Sequence, residues 1–440
     1  MQHSGHKRIV QPIKPLLPVV LSESSTISNS RKARYRLSVC LQPIFYFADW
    51  AAMLRFLELW LASGAEMFYV YWQSMSAHVR ALMQPYVKRG LVQLRPWSML
   101  EVAGQKTNPN DHVYRTDMFT AINECVFGER GGRSQYVALV DIDELILPTA
   151  ASDNDNNKNN NVTRNSTTIR QPTTENNNSK SAPTFTTAWS YHSNLPDYLD
   201  TLLNSSSSDP PIGAFVFRSR TAKYNPADVD ALYPGSYGAT MRPLVADSAD
   251  YFFEFLRNFS QSAYTWPTGS MSKLVVVPDR VVRVHIHEVL EMAVIDSDVS
   301  VERKRRKTLA PVTKRGSVNG GRYKIYVVPA NISVVYHFRA SLNETRFTEN
   351  DREFRVIHEN NAYAQQLARR SETAFRERFA GFGGRLPNNG NERTVARVIG
   401  NCVSGYNRSE VCIAPPRLCA GEIARLNVSW VYAENSFVIV

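Results

Sequence analysis

Three carboxylates, Asp141, Asp143 and Glu144, fall within four positions of one another in the stretch "YVALVDIDELIL" that runs from Tyr136 to Leu147. A carboxylate buried without a partner is costly, so such a cluster either faces water or meets a cation. An Asp-x-Asp at the end of an apolar strand suits a hard divalent cation, because carboxylate oxygens are its preferred ligands and the strand fixes their spacing. Pro148 closes the stretch and helps hold the carboxylates on a rigid turn. A strand that simply runs out into a solvated loop would give the same letters. Histidines supply a second set of ligand types. His285 and His287 alternate with apolar residues, which on a strand would place both on one face. His337 follows the apolar run "ISVVY", and Arg339, two residues on, could hold a phosphate bidentately. No P-loop and no strand-linked G-x-G-x-x-G is present, so a nucleotide diphosphate would have to be held by a cation and by Arg or Lys side chains rather than by backbone amides.

These residues need a frame, and the pattern of elements supplies one. "RLSVCLQPI" reads as a strand. The helix after it repeats apolar positions at Trp50, Met53, Leu54, Leu57 and Trp60 or Leu61, and Gly64 offers it a left-handed cap. "MFYVYW" is a second strand, "HVRALMQPYVKRG" a helix stopped by Gly90, and "LVQLRPW" a further strand. A helix from about Asp111 to Phe127 leads to the acidic strand. Alternation of helices with almost wholly apolar strands predicts an α/β fold whose central, mostly parallel sheet is covered on both faces. Ligands of such sheets bind beyond the carboxyl ends of the strands, where Asp141 to Glu144 would sit.

The 440 residues, 43% hydrophobic, suffice for a large core, and the net charge of +11 suits an anionic partner without choosing one. The basic run from Arg303 to Lys307 stands alone beside Pro311 and reads as a solvated loop rather than a nucleic-acid patch. N-x-S/T triplets begin at Asn161, Asn165, Asn177, Asn204, Asn258, Asn331, Asn343, Asn407 and Asn427. Together they point to the secretory route, where disulfides persist, and away from nucleic acid. Five cysteines lack zinc spacing, and their odd number leaves one thiol unpaired within the chain. No run of about 18 apolar residues could span a membrane, so an anchor is expected upstream of Met1 or not at all. Residues 1–36 read as a stem or linker and residues 37–347 as the main domain. An Asn-rich insertion at about 151–187 cannot bury enough apolar surface to order itself. Residues 348–440 form a C-terminal extension that begins with a charged helical pattern and turns irregular.

Four blocks, "LSVCLQPIFYFADWAAMLRFLELWLASGAEMFYVYWQS", "AINECVFGERGGRSQYVALVDIDELILP", "SKLVVVPDRVVRVHIHEV" and "VVYHFR", resemble in that order the successive blocks of glycosyltransferase family 92. The resemblance implies a GT-A-like fold, a UDP-sugar donor (commonly UDP-galactose), a Mn²⁺ ion, a glycan or glycoprotein acceptor, inversion at the anomeric centre and a type II membrane protein of the Golgi lumen. By position, Asp141 and Asp143 match the D-x-D, and Lys273, His287, His337 and Arg339 match the later blocks. Asp141, Lys273 and Arg339 would then bind the donor. Asp141, Asp143 and His337, or His287 in its place, would hold the metal. The catalytic base should be an Asp or Glu between the D-x-D and the last histidine, and Asp247, Asp250, Glu254 and Glu288 are not distinguishable by sequence. Two departures stand out: Glu124 where an Asp is usual before the cysteine, and Phe338 where a Tyr is frequent. The alternative is a glycan-binding protein that keeps the fold without turnover.

Overall fold

The computed structural model of the chain describes residues 33–98, 118–149, 194–205, 210–224, 253–257, 259–262, 264–295, 321–339, 354–357, 361–380, 394–395, 398, 401–402, 419–423 and 425–433. In chain order the elements are β1 (Tyr35–Ile44), α1 (Trp50–Ala62), β2 (Met67–Trp72), β3 (Ser74–Ser76), α2 (Ala77–Lys88), β4 (Val92–Pro96), α3 (Met118–Gly128), β5 (Ser134–Leu139) and β6 (Glu144–Pro148). After the Asn-rich segment, which lies outside the described residues, come α4 (Leu195–Ser205), β7 (Ile212–Phe217), β8 (Ser219–Tyr224), β9 (Phe259–Ser262), β10 (Lys273–Val276), β11 (Val281–Val284) and β12 (Val289–Met292). Then follow β13 (Lys324–Val327), β14 (Ser333–Arg339), β15 (Phe354–Ile357), α5 (Ala362–Phe379), a short α6 (Ala420–Ile423) and β16 (Trp430–Tyr432).

The main sheet has the order β13-β7-β10-β5-β1-β2-β4, and every neighbouring pair is parallel except the two made by β10. This is the α/β architecture expected from the alternation of elements. Its strands are apolar on both faces because both are covered: β2 and β7 are buried at every position. One face carries α1, α2, α4 and α5 around Trp50, Trp60, Phe68 and Tyr86, and the other carries α3 and the β11–β12 hairpin around Cys40, Leu139 and Leu274. The helix stops behave as read. Gly64 and Gly90 take φ of +102° and +70°, conformations that cost glycine little and other residues more.

A second sheet, β15-β9-β8-β14-β6, stands beside the first. The acidic stretch is therefore not one strand. The first sheet's β5 ends at Leu139, and β6 starts at Glu144 in the second sheet, so Asp141 and Asp143 occupy the turn by which the chain changes sheets. The helix α3 is described from Met118, and the segment expected to precede it lies outside the described residues. Disulfides join Cys40 to Cys125 and Cys402 to Cys419, while Cys412 lies outside the described residues. Among those residues no helix is long and apolar enough to cross a membrane.

Candidate active site

The acidic turn is assembled by strand register. Reversal of β10 in an otherwise parallel sheet brings its first residue to the carboxyl edge of β5: Leu274 lies opposite Leu139, and Lys273 beside the start of the turn. There the Lys273 ammonium, with no exposed surface, lies 2.6 Å from Asp141 Oδ2 and 3.1 Å from Glu144 Oε2. Burial alone would lower this lysine, but the Glu144 and Asp141 carboxylates override it and hold the ammonium above the usual lysine range. Burial pushes the Glu144 carboxyl up to about 7, with Lys273 pulling the other way and Asp141 adding to the rise. Glu144 Oε2 also accepts the Asp141 backbone N–H at 2.9 Å, which closes the turn on itself.

The neighbouring strand contributes the imidazole. In the β14–β6 pairing His337 stands directly opposite Glu144, and the Phe338 N–H donates to the Asp143 carbonyl at 2.8 Å. His337 Nε2 is 2.9 Å from Asp143 Oδ2, and Nδ1 is 3.8 Å from Glu144 Oε1. Burial would raise the Asp143 carboxyl, yet the His337 ring and the Lys273 charge prevail and hold it below the usual carboxylate range. Its side chain keeps 41% of its surface exposed, toward the cleft.

That cleft, of about 410 Å³, is lined by Asp141, Ile142, Asp143 and His337, by the chain from Leu41 to Asp49 and by Val395. Asp49 caps α1 by accepting the Ala52 N–H at 2.9 Å. Tyr46 sits between Phe45 and Phe47 with φ of +42°, a left-handed conformation that is strained for a bulky residue. The lining combines aromatic side chains with carboxylates and an imidazole. It suits a ligand that carries both a ring and a charged or cation-bridged group.

The structure brings Asp141, Asp143, Lys273 and His337 together, and His287 lies close enough to feel the charges of Lys273 and Asp141. His285 and His287 are not on a strand, as their alternation had indicated. The chain turns after Val284, the His285 N–H donates to the Glu288 carbonyl at 2.8 Å, and both rings lie on the β11–β12 turn. The His285 ring stacks near Phe119, and His287 Nδ1 meets the Ser272 carbonyl at 2.9 Å. Burial, with Lys273 nearby, lowers His287 below the usual histidine range. Glu288 is exposed on the same turn. Asp247 and Asp250 lie outside the described residues, as do the side chains of Glu254 and Arg339, although Arg339 ends β14 by its backbone. Of the two departures from the family pattern, Glu124 reaches Arg95 and the Tyr71 hydroxyl, and Phe338 packs edge-on against Phe255 and Phe259. Sequence reasoning passed over Tyr46, Asp49 and Val395. Asp49 carried a signal, since an Asp immediately before a helical apolar period reads as an N-cap. Tyr46 and Val395 carried none.

Whether these residues suit a divalent cation can be judged from their unsatisfied atoms. Asp141 Oδ1 and Glu144 Oε1 are buried without a hydrogen-bond partner, and unpartnered carboxylate oxygens are the atoms that a hard cation satisfies. Among the described residues no three His, Cys, Asp or Glu side chains already surround one point. Asp143 Oδ2 is engaged by His337, and an ion would take over that bond. In donor type, two carboxylates and an imidazole beside the unpartnered Asp141 Oδ1 fit a cation, although as they stand their side chains form no ready three-ligand group.

A mostly parallel sheet with a cleft at the carboxyl edge of its central strands defines the class, an α/β protein whose cleft lies where ligands of such sheets bind. The sequence profile of glycosyltransferase family 92 matches residues 35–371, and the chain belongs to that family. A glycosyltransferase family 92 protein of Caenorhabditis elegans is 28% identical over 118 residues, which make up 26% of this chain and 23% of that protein's length.

Proposed function

We propose that the chain is a metal-dependent glycosyltransferase of GT-A-like fold that moves a hexose, most simply galactose from UDP-galactose, onto a glycan acceptor with inversion. The observation that carries this reading is the convergence of Asp141, Asp143 and His337 on one cleft wall in a family 92 chain, with an unpartnered carboxylate oxygen on Asp141. Asp141, Asp143 and His337 would hold the Mn²⁺ ion, which when bound supplies positive charge to the departing diphosphate. Lys273 and Glu144 keep Asp141 in place: the ammonium fixes one carboxylate oxygen and leaves the other free. Lys273 then acts on the donor through Asp141, because the ammonium itself is wholly buried. Arg339, at the end of the same strand as His337, is assigned to the diphosphate.

The aromatic part of the cleft lining, Phe45 to Phe47, receives the planar part of the donor. A carboxylate must take the proton from the acceptor hydroxyl as it attacks the anomeric carbon. Of the four sequence candidates, Glu288 has a described side chain, exposed on the turn that also carries His287. A lumenal location accords with the exposed sequon residues Asn204, Asn331 and Asn427, while the Golgi and an upstream membrane anchor rest on the family resemblance alone.

A donor screen tests the reading. Purified chain is incubated with a panel of UDP-sugars, with Mn²⁺ and with chelator, and UDP release is measured. One UDP-hexose should be turned over with Mn²⁺ and not in chelator. Tight glycan binding without turnover of any donor would favour the binding-protein alternative.

A further inference from the structure

The family profile ends at residue 371, yet the cleft does not end with it. Val395 lines the cleft directly. Further on, β16 pairs antiparallel with β3, with Trp430 opposite Ser76 and Tyr432 opposite Ser74. The Ala77 N–H donates to the Ser429 carbonyl and the Ala433 N–H to the Gln73 carbonyl, both at 2.8 Å, so the strand is fastened at both ends. β3 in turn holds the cleft loop. Ser74 Oγ accepts the Tyr46 N–H at 2.7 Å, and Phe47 bridges to Met75.

From this strand two aromatic rings reach Tyr46. Trp430 meets the Tyr46 ring edge-on at 5.1 Å, and Tyr432 does so at 6.1 Å. Tyr46 is the one described residue other than glycine with a positive φ, and a bulky side chain keeps such a backbone only where its surroundings over-determine it. The surroundings here are the Ser74 hydroxyl on one side and the two rings of β16 on the other.

We propose that β16, outside the part of the chain that defines the family, is a positioning element of the ligand cleft: Trp430 and Tyr432 hold Tyr46 in its left-handed conformation and so set the aromatic wall against which the ring of the ligand rests. The proposal takes its ligand from the nucleotide-sugar reading above, with UDP as the probe. The geometry of the wall does not depend on that reading. Trp430 and Tyr432 do not line the cleft, and they act through Tyr46.

The experiment uses the full chain and four variants, Trp430→Ala, Trp430→Phe, Tyr46→Gly and the double variant. Two quantities are read: amide hydrogen exchange over residues 44–49, and UDP affinity by calorimetry with Mn²⁺ present. Trp430→Ala should speed exchange over 44–49 while the strands of the main sheet stay protected. It should also weaken UDP binding about fivefold to tenfold, the size of a lost edge-to-face aromatic contact. Trp430→Phe should restore most of both. In the Tyr46→Gly background Trp430→Ala should have no further effect on UDP, because the residue it acts through is gone. Unchanged exchange over 44–49 in Trp430→Ala overturns the proposal, as does an additive loss of affinity in the double variant. If the parent chain binds no UDP, the nucleotide-sugar reading fails, while the exchange arm still decides whether β16 holds the loop.

Discussion

Asp143 is the residue on which the site assignment turns most directly. Its carboxylate is two-fifths exposed to the cleft and bonded to His337, and the core contacts of β5 and β6 do not involve it. Asp143→Asn keeps the shape and loses the charge. It should therefore abolish Mn²⁺-dependent turnover of the donor; undiminished turnover would remove Asp143 from the metal set. Glu144 belongs to the fold instead. Its carboxyl is raised to about 7 by burial, so between its ordinary value of about 4.3 and 7 the folded state holds a proton that the unfolded state has released. That contribution to stability is full below about 4.3 and is lost as the pH rises toward 7. Asp143, held low, contributes in the opposite sense, with stability present above the ordinary aspartate value and lost as the pH falls through its folded value. Glu144→Gln should therefore flatten the decline of stability between pH 4.3 and 7 in a series of urea titrations. A slope identical to the parent's would place the shift elsewhere.

Among the elements, α5 shows how a segment near the edge of the family profile joins the core. It is the charged helical pattern that opens the C-terminal extension, and its Arg378 guanidinium reaches Glu58 Oε1 at 2.7 Å on the fully buried side of α1, where the Tyr86 hydroxyl also donates at 2.5 Å. Removing one partner leaves a buried charge uncompensated, at a cost of about 3–5 kcal/mol. Arg378→Ala should show that loss in denaturant unfolding, whereas Arg376→Ala, whose 40% exposed guanidinium makes an i,i+4 pair with Glu372, should cost less, about 0.5 kcal/mol. The same contrast explains what the sequence made legible. The spacing of Trp50, Met53, Leu54 and Leu57 defined α1, and Gly64 and Gly90 marked the stops, because local periodicity and φ > 0 are recorded in residue type. Asp141, Asp143, Lys273 and His337 could be named as chemistry-bearing residues. Their meeting could not be derived from spacing, since it depends on the reversal of β10 and on the register of β14 against β6. The histidines of the β11–β12 turn misled because alternation with apolar residues also occurs where a hairpin closes.

Across the whole molecule, the Cys40–Cys125 disulfide fastens β1, whose end becomes the aromatic wall of the cleft, to α3 on the opposite face of the sheet. It closes a loop with a sequence separation of 85, for which the chain-entropy account gives about 4.5 kcal/mol of stabilisation. Replacing both cysteines, Cys40→Ser with Cys125→Ser, should lower the unfolding free energy by an amount of that order. A loss below about 1 kcal/mol would mean that the sheet already restrains both ends without the bond.

The reversed strand β10 has a consequence in time as well as in space. Lys273 lies 132 residues after Asp141, and His337 lies 194 residues after Asp143. During synthesis at about 5–20 residues per second, the acidic turn leaves the ribosome on the order of ten seconds before its neutralising lysine. The strands from β1 to β5 can pair in that interval, but the charges at their edge stay unmatched and must remain in water. The acidic turn thus stays wet after the strands beside it have paired, and a chain arrested before residue 273 would present its unmatched carboxylates to the chaperones of its compartment.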